Sequence, residues 1–162
     1  MESGSFYKVI PAKKELQMRL YMHHLFQGPN QNQTTVIPPS NGKSFGWTAI
    51  NDWTMYDGRG PDAKVVARAQ GLHIQAGMKD SLWYNSLNVV FEDARFKGST
   101  LQVMGTVVEG GDWAIVGGTG EFTLAEGFIY KNKVETLSDG DVMEVTIQAF
   151  YTPLPKHTWG NN

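Results

Sequence analysis

The 162-residue chain contains no cysteine, so disulfides, thiolate metal sites and thiol nucleophiles are excluded. The fold must rest on its core, which a chain of this length can supply. No apolar run is long enough for a membrane-spanning helix or a signal peptide. On that basis the protein is expected to be cytoplasmic, or extracellular if a leader has been removed. Charge of one sign is also missing. The formal net charge is −2 with both signs interspersed, leaving no basic patch for nucleic acid and no polybasic segment for a membrane surface. There is no Gly-X-Ser-X-Gly elbow for serine chemistry. The four histidines include the adjacent pair His23 and His24, whose side chains point to opposite faces of a strand and cannot share a metal ion. No metal and no cofactor is expected.

Helical periodicity is missing as well, and short alternating segments punctuated by 18 glycines and 7 prolines take its place. From Glu15 to Phe26, the residues Leu16, Met18, Leu20, Met22, His24 and Phe26 recur every second position, the period of a strand with one apolar face. Further strands are read at 34–37, 45–56, 63–75, 82–91 and 99–108, through the apolar stretch before Gly117, at 121–131 and at 141–151. Eight or nine antiparallel strands without helices must bury their edges, which predicts an all-β fold, an antiparallel eight-stranded β-barrel in preference to a sandwich. The boundaries predicted are an N-terminal extension over 1–14, the barrel over 15–153, and a tail or linker over 154–162. A barrel of about eight strands holds either packed side chains or one small apolar ligand.

The run Ile115-Val116-Gly117-Gly118-Thr119-Gly120-Glu121-Phe122 marks an unusual backbone path between strands. A phosphate loop would continue into a helix with a following lysine. Here Glu121 stands where the anion would sit and strand-like spacing resumes, so the run reads as a backbone bend. On β parity, His24 shares the face of Leu20, Met22 and Phe26. It serves equally well as a pocket acid or base and as a hydrogen-bonded interior histidine. Asp112, before an apolar strand, reads as a turn cap or as a site carboxylate. Glu126 shares a face with Leu124 and Phe128, and points inward or, with a bulge at Gly127, outward. Small residues on one face of the fourth strand, Ala67, Ala69 and Gly71, allow close approach by a neighbouring strand or a ligand. The tryptophans read as core or interface more readily than as a ligand platform.

Four segments carry a family resemblance: Tyr21-Met22-His23-His24 with Gly28, Arg68-Ala69-Gln70-Gly71, Phe96-Lys97-Gly98-Ser99-Thr100-Leu101, and Asp112 through Val116-Gly117-Gly118-Thr119-Gly120-Glu121-Phe122. In this order and over about 16–151, the chain resembles the plant dirigent family. The resemblance implies eight-stranded barrels, similar to lipocalins and allene oxide cyclases, that assemble as homotrimers. It implies a phenolic or other small apolar ligand in the barrel mouth. It also implies stereochemical guidance of phenoxy radical coupling, as in lignan biosynthesis, or of a cyclisation through a quinone methide. The radicals come from a separate oxidase, so the chain is expected to have no redox centre and not to be an enzyme on its own.

The family's polar site residues are an Asp in the first strand, an Asp before the glycine signature and an Arg in a Met-Ala-Arg-Gly stretch. The matching positions here are His24, Asp112 and Glu126. Two of the three differ, and the sign of the pair is exchanged, with histidine able to carry the positive charge. The pocket implied around them comprises Leu20, Met22, Phe26, Leu124 and Phe128, and the glycine run is expected to set Asp112 and Glu126 near the mouth. The leaderless sequence with its Pro-Leu-Pro-Lys-His-Thr-Trp-Gly end is similar to grass proteins in which a dirigent domain precedes a jacalin-type lectin domain. Some of those bind β-glucosidases and respond to wounding and pathogens. The alternative function is therefore an interaction module.

Overall fold

Where apolar and polar residues alternate over eight or more positions, one face of each strand must leave water, and a sheet closed on itself lets every strand do so at once. A computed structural model describes residues 11–40, 42–108 and 110–153. The first ten residues of the expected extension and all of the expected tail lie outside the described residues. The strands are β1 (Lys14–Leu25), β2 (Gln33–Ile37), β3 (Thr48–Tyr56), β4 (Val65–Gln75), β5 (Trp83–Phe91), β6 (Thr100–Val107), β7 (Asp112–Thr119), β8 (Glu126–Thr136) and β9 (Gly140–Tyr151). They follow one another in the order β1-β9-β8-β7-β6-β5-β4-β3-β2, all antiparallel where paired. The second half of β3 pairs with β1 through Tyr21↔Tyr56, Met22↔Met55 and His23↔Thr54. Eight strands therefore close into the expected barrel. The short β2 is a ninth, laid on the first half of β3 through Gln33↔Asn51 and Thr34↔Ile50.

The connections β1–β2, β4–β5, β6–β7 and β8–β9 lie at one end, called upper here, and β3–β4, β5–β6 and β7–β8 at the other. The lower end is apolar and plugged. Phe91, Phe96, Phe122 and Tyr151 meet there at ring-centroid distances of 4.9 to 5.7 Å. Phe122 is fully buried, and a buried Phe side chain contributes roughly 1.5–3 kcal/mol.

The glycine run delivers this plug. The strand read at 121–131 begins only at Glu126, because Gly120–Phe122 forms a single 3-10 turn between the positive φ values of Gly120 (64°) and Leu124 (58°). At Gly118 a Cβ would lie 2.0 Å from the carbonyl oxygen of Phe122, so only glycine allows the chain to fold back this closely. The small face of β4 likewise serves a neighbouring strand, since a Cβ at Gly71 would lie 2.2 Å from the carbonyl oxygen of Ser86 in β5.

Candidate functional site

The inward positions of the upper half differ in kind from those below. Parity turns His24 of β1, Asn51 and Trp53 of β3, His73 and Gln75 of β4, Trp83 and Asn85 of β5, Trp113 of β7 and Lys131 of β8 toward the axis. Trp53 is the hub. Its ring lies 4.8 Å from His24, 5.4 Å from His73 and 6.5 Å from Trp113, the last nearly parallel at 14°. Trp83 stands 5.1 Å from His73. The indoles are anchored from behind: Trp53 Nε1 donates to Gln33 Oε1 at 3.0 Å and Trp113 Nε1 to the Thr106 carbonyl at 3.2 Å. The short β2 thus contributes to the site through Gln33.

The polar groups among these rings are partly satisfied. Asn51 Nδ2 donates to the Ala69 carbonyl at 2.8 Å, which turns its Oδ1 toward His73 Nδ1 at 3.3 Å. In a neutral ring Nδ1 then carries the proton and Nε2 is left as an acceptor. Burial, and secondly the adjacent His24, push His73 down to about 4, so it is neutral at physiological pH. His24 is also lowered by burial, against the opposing influence of Gln33 and Asp141. Gln75 Nε2 donates to the Asp80 carbonyl at 2.9 Å. Against these stand four buried atoms without a hydrogen-bond partner: His24 Nε2, Gln75 Oε1, and both Nδ2 and Oδ1 of Asn85. Asn85 is 0% exposed. Buried polar groups are nearly always paired, and a completely buried amide with neither end engaged marks a place built to receive a polar partner.

Lys131 completes the mouth. It is 2% exposed, donates from Nζ to the Val108 carbonyl at 2.8 Å, and lies 4.8 Å from the Trp113 ring centroid. Burial lowers its pKa, and the nearby Asp112 counteracts this.

A concavity of about 920 Å³ lies outside the barrel, between β1 and β2, lined by His23, Asn32, Asp52, Tyr56 and Arg68 among others. Several of its polar groups are already engaged, and the groove is open to solvent. Arg68 pairs with Asp52 at 3.1 Å and Glu92 at 3.0 Å, and Asn32 bonds the backbone of Leu25 and His23. The unmet demand sits in the mouth, so the mouth is the stronger candidate despite the outer groove's size.

The residues expected to form the site are not brought together. His24 is inside the upper end, with Leu20 and Met22 buried below it on the same face. Phe26 lies just beyond β1, half exposed, with its ring 6.0 Å from His24. Asp112 is exposed on the outer face, opposite Tyr130. Glu126 pairs with Phe150, which pairs with Glu15. That level is nine residues from His24 along β1, about 30 Å at the rise of an extended strand. Glu126 points outward and forms an ion pair with Lys13. The β8–β9 register runs unbroken through Gly127 and shifts only between Lys133 and Glu135, so Gly127 sits on the inner row and both Glu126 and Phe128 face out. Leu124, in the turn, is 60% exposed. Neither Glu126, Leu124 nor Phe128 lines the mouth.

The family model for dirigent-like proteins matches residues 15–150. The chain belongs to the dirigent family. It is 28% identical to Dirigent protein 1 of Arabidopsis thaliana, over 87% of this chain and 81% of that protein. It is 30% identical to Pterocarpan synthase 1 of Glycyrrhiza echinata, over 72% of this chain and 66% of that one. The solved structure of the pterocarpan synthase dirigent protein GePTS1 superposes with a TM-score of 0.79 at 26% identity, covering 94% of this chain and 92% of that one.

Within this dirigent barrel, His24 is the one residue of the expected polar triplet that reaches the mouth. Asn51, His73, Gln75, Asn85 and Lys131 escaped the motif reading. Parity alone could have found three of them: His73 follows the small face of Ala67, Ala69 and Gly71, Asn85 alternates with Leu87 and Val89, and Lys131 follows Ile129.

Proposed function

We propose that the upper mouth binds a phenolic or similar small aromatic plant metabolite and guides the stereochemistry of its coupling or cyclisation, the phenoxy radicals for a coupling being generated by a separate oxidase that removes one electron and one proton from each phenol. The observation that carries this reading is the fully buried, unpartnered amide of Asn85 set among Trp53, Trp83 and Trp113. Indole faces accept an aromatic ring, and the amide with the free acceptor of His73 fixes hydroxyl groups on it. Neutral His73 acts as a hydrogen-bond acceptor for a phenol, and His24 as a partner that can take up a proton. The names of the pterocarpan synthases similar to this chain support a cyclisation as readily as a radical coupling.

Self-association as a homotrimer is part of the proposal. Met104, Ala114 and Phe128 lie in one outward row across β6, β7 and β8. Val116 beside them is 55% exposed and Phe128 43%, an apolar strip of the kind that marks an interface. A role in plant defence is a further part of the proposal.

The test is a coupling assay in which a one-electron oxidant generates radicals from a panel of monolignols and related phenols, with the products resolved by chiral chromatography. An enantiomeric excess that depends on the protein, and that Asn85→Leu abolishes, is expected. Racemic product across the panel, together with unchanged partitioning of quinone methide substrates, would refute it. That outcome would favour the alternative, an interaction module beside a jacalin-type domain that contacts a partner such as a β-glucosidase. The outer groove between β1 and β2 is the feature suited to such a partner.

A further inference from the structure

We propose that Lys131 is the anion-holding group of the mouth, and that the ligand it selects is an aromatic compound bearing an ionised oxygen, a phenolate or a carboxylate. This rests on the reading of the mouth as an aromatic-ligand site and goes further, assigning the ligand a charge. Lys131 reaches the interior because β8 alternates Ile129 and Lys131 inward, the latter opposite Val145 of β9. It is almost as inaccessible as the core valines around it.

An ammonium carries three donors, and one is used, on the Val108 carbonyl. The Trp113 ring supplies a cation–π contact, which offsets only part of the loss of hydration. Among the described residues, no aspartate or glutamate is buried. Asp112, the carboxylate that bears on Lys131, is exposed on the outer face of β7. At the rim, Asp141 is 3.8 Å from Lys133. A buried cation without a buried counter-ion is costly unless an anion joins it.

The surroundings fit an aromatic anion in particular. The Trp113 ring that touches the ammonium is nearly parallel to Trp53, so a ligand ring that packs on these indoles brings its substituent oxygen toward Nζ. A Cβ at Gly105 would lie 3.2 Å from the Trp113 ring, and Gly105 is the register partner of Asn85. The unpartnered Asn85 amide is therefore separated from that ring by the single intervening strand β6, on the same inner face, and is proposed to donate a second hydrogen bond. Charge-assisted hydrogen bonds to an oxyanion are roughly twice as strong as neutral ones, so the lysine discriminates between a ligand and its neutral isostere.

Three probes of one shape test this: 4-nitrophenol, 4-nitrobenzoate and the neutral 4-nitroanisole, titrated by tryptophan fluorescence quenching. The absorbance of bound nitrophenol reports its ionisation directly. Wild-type protein is expected to bind nitrophenol, nitrobenzoate or both about tenfold or more tightly than nitroanisole. Preference for the first identifies phenolate as the natural anion, preference for the second carboxylate. Bound nitrophenol should show the phenolate spectrum at a pH where the free probe is still largely protonated. Lys131→Met, which fills the space with an apolar chain, should erase the preference while leaving nitroanisole affinity intact. Lys131→Arg should restore most of it. Equal binding of all three probes by wild type, or a preference that survives Lys131→Met, overturns the inference and leaves the aromatic mouth standing. Absence of binding by every probe removes the mouth reading itself, and this inference with it.

Discussion

The depressed basicity of His73 makes acid stability a direct readout of the mouth. Its side chain is 8% exposed, and burial and the neighbouring His24 lower its pKa from 6.5 to about 4. The unfolded chain therefore binds a proton in a range where the folded chain does not. Stability then rises with pH between the two values and is lost as pH falls from 6.5 toward 4. Integrating between these limits for one group gives a loss of about 2 kcal/mol by about pH 5 and about 3 kcal/mol by about pH 4, relative to neutral pH. His24, lowered in the same direction, adds to the loss.

Urea unfolding followed by tryptophan fluorescence, at fixed protein concentration and a series of pH values, measures it. His73→Gln retains a donor for Asn51 and removes the titration. Below neutrality its stability curve should be flatter than that of wild type, the difference reaching about 2 kcal/mol near pH 5. The residual slope belongs to His24 and the carboxylates. If the two curves run parallel from pH 7.5 to 5, the mouth is hydrated enough for His73 to titrate normally, and the account of a dry, neutral imidazole fails.

Two further outcomes follow from the lower end and the outer face. Gly118→Ala should destabilise the barrel by about 2 kcal/mol or more, because its Cβ would meet the Phe122 carbonyl at 2.0 Å and force the plug outward. Thermal unfolding reads this, and a Tm within a degree of wild type would refute the tight-closure reading. Phe128→Lys, on the exposed outward row, should shift the assembly proposed above toward monomer in sedimentation without changing ligand affinity in the mouth. An unchanged sedimentation profile with Phe128→Lys would move the interface elsewhere.

The barrel was legible because its evidence is local and repeated. Most strands announce themselves by alternation, and Leu16 to Phe26 needs no partner to be read. The start of β8 was not legible, since Glu121 and Thr123 continue the alternation and only the positive φ of Gly120 and Leu124 breaks the strand there. The glycine run was visible for a similar local reason, the side-chain-free contact at Gly118. That contact closes the lower end, however, and says nothing of the upper. The mouth is dispersed over six strands between residues 24 and 131, one or two inward residues from each, and only the β4–β5 hairpin brings two strands' worth, His73, Gln75, Trp83 and Asn85, into one short window of sequence. Parity gives the face of each residue, but the level along the axis depends on register and closure, which are non-local.

That dispersal changes the electrostatic reading of the site. A histidine facing a glutamate would have made a mouth whose opposite charges balance each other, with sign reversed from the family pattern. Glu126 instead spends its charge on Lys13 at the outer surface of the lower end, and Asp112 remains in solvent. What faces the axis below the rim is one neutral imidazole, a second one weakened as a base, and one ammonium, while at the rim Asp141, the register partner of His24, pairs with Lys133. Among the described residues no buried carboxylate balances the Lys131 ammonium. A histidine at position 24 and a lysine at position 131 act in the same direction, favouring a ligand that brings the negative charge itself.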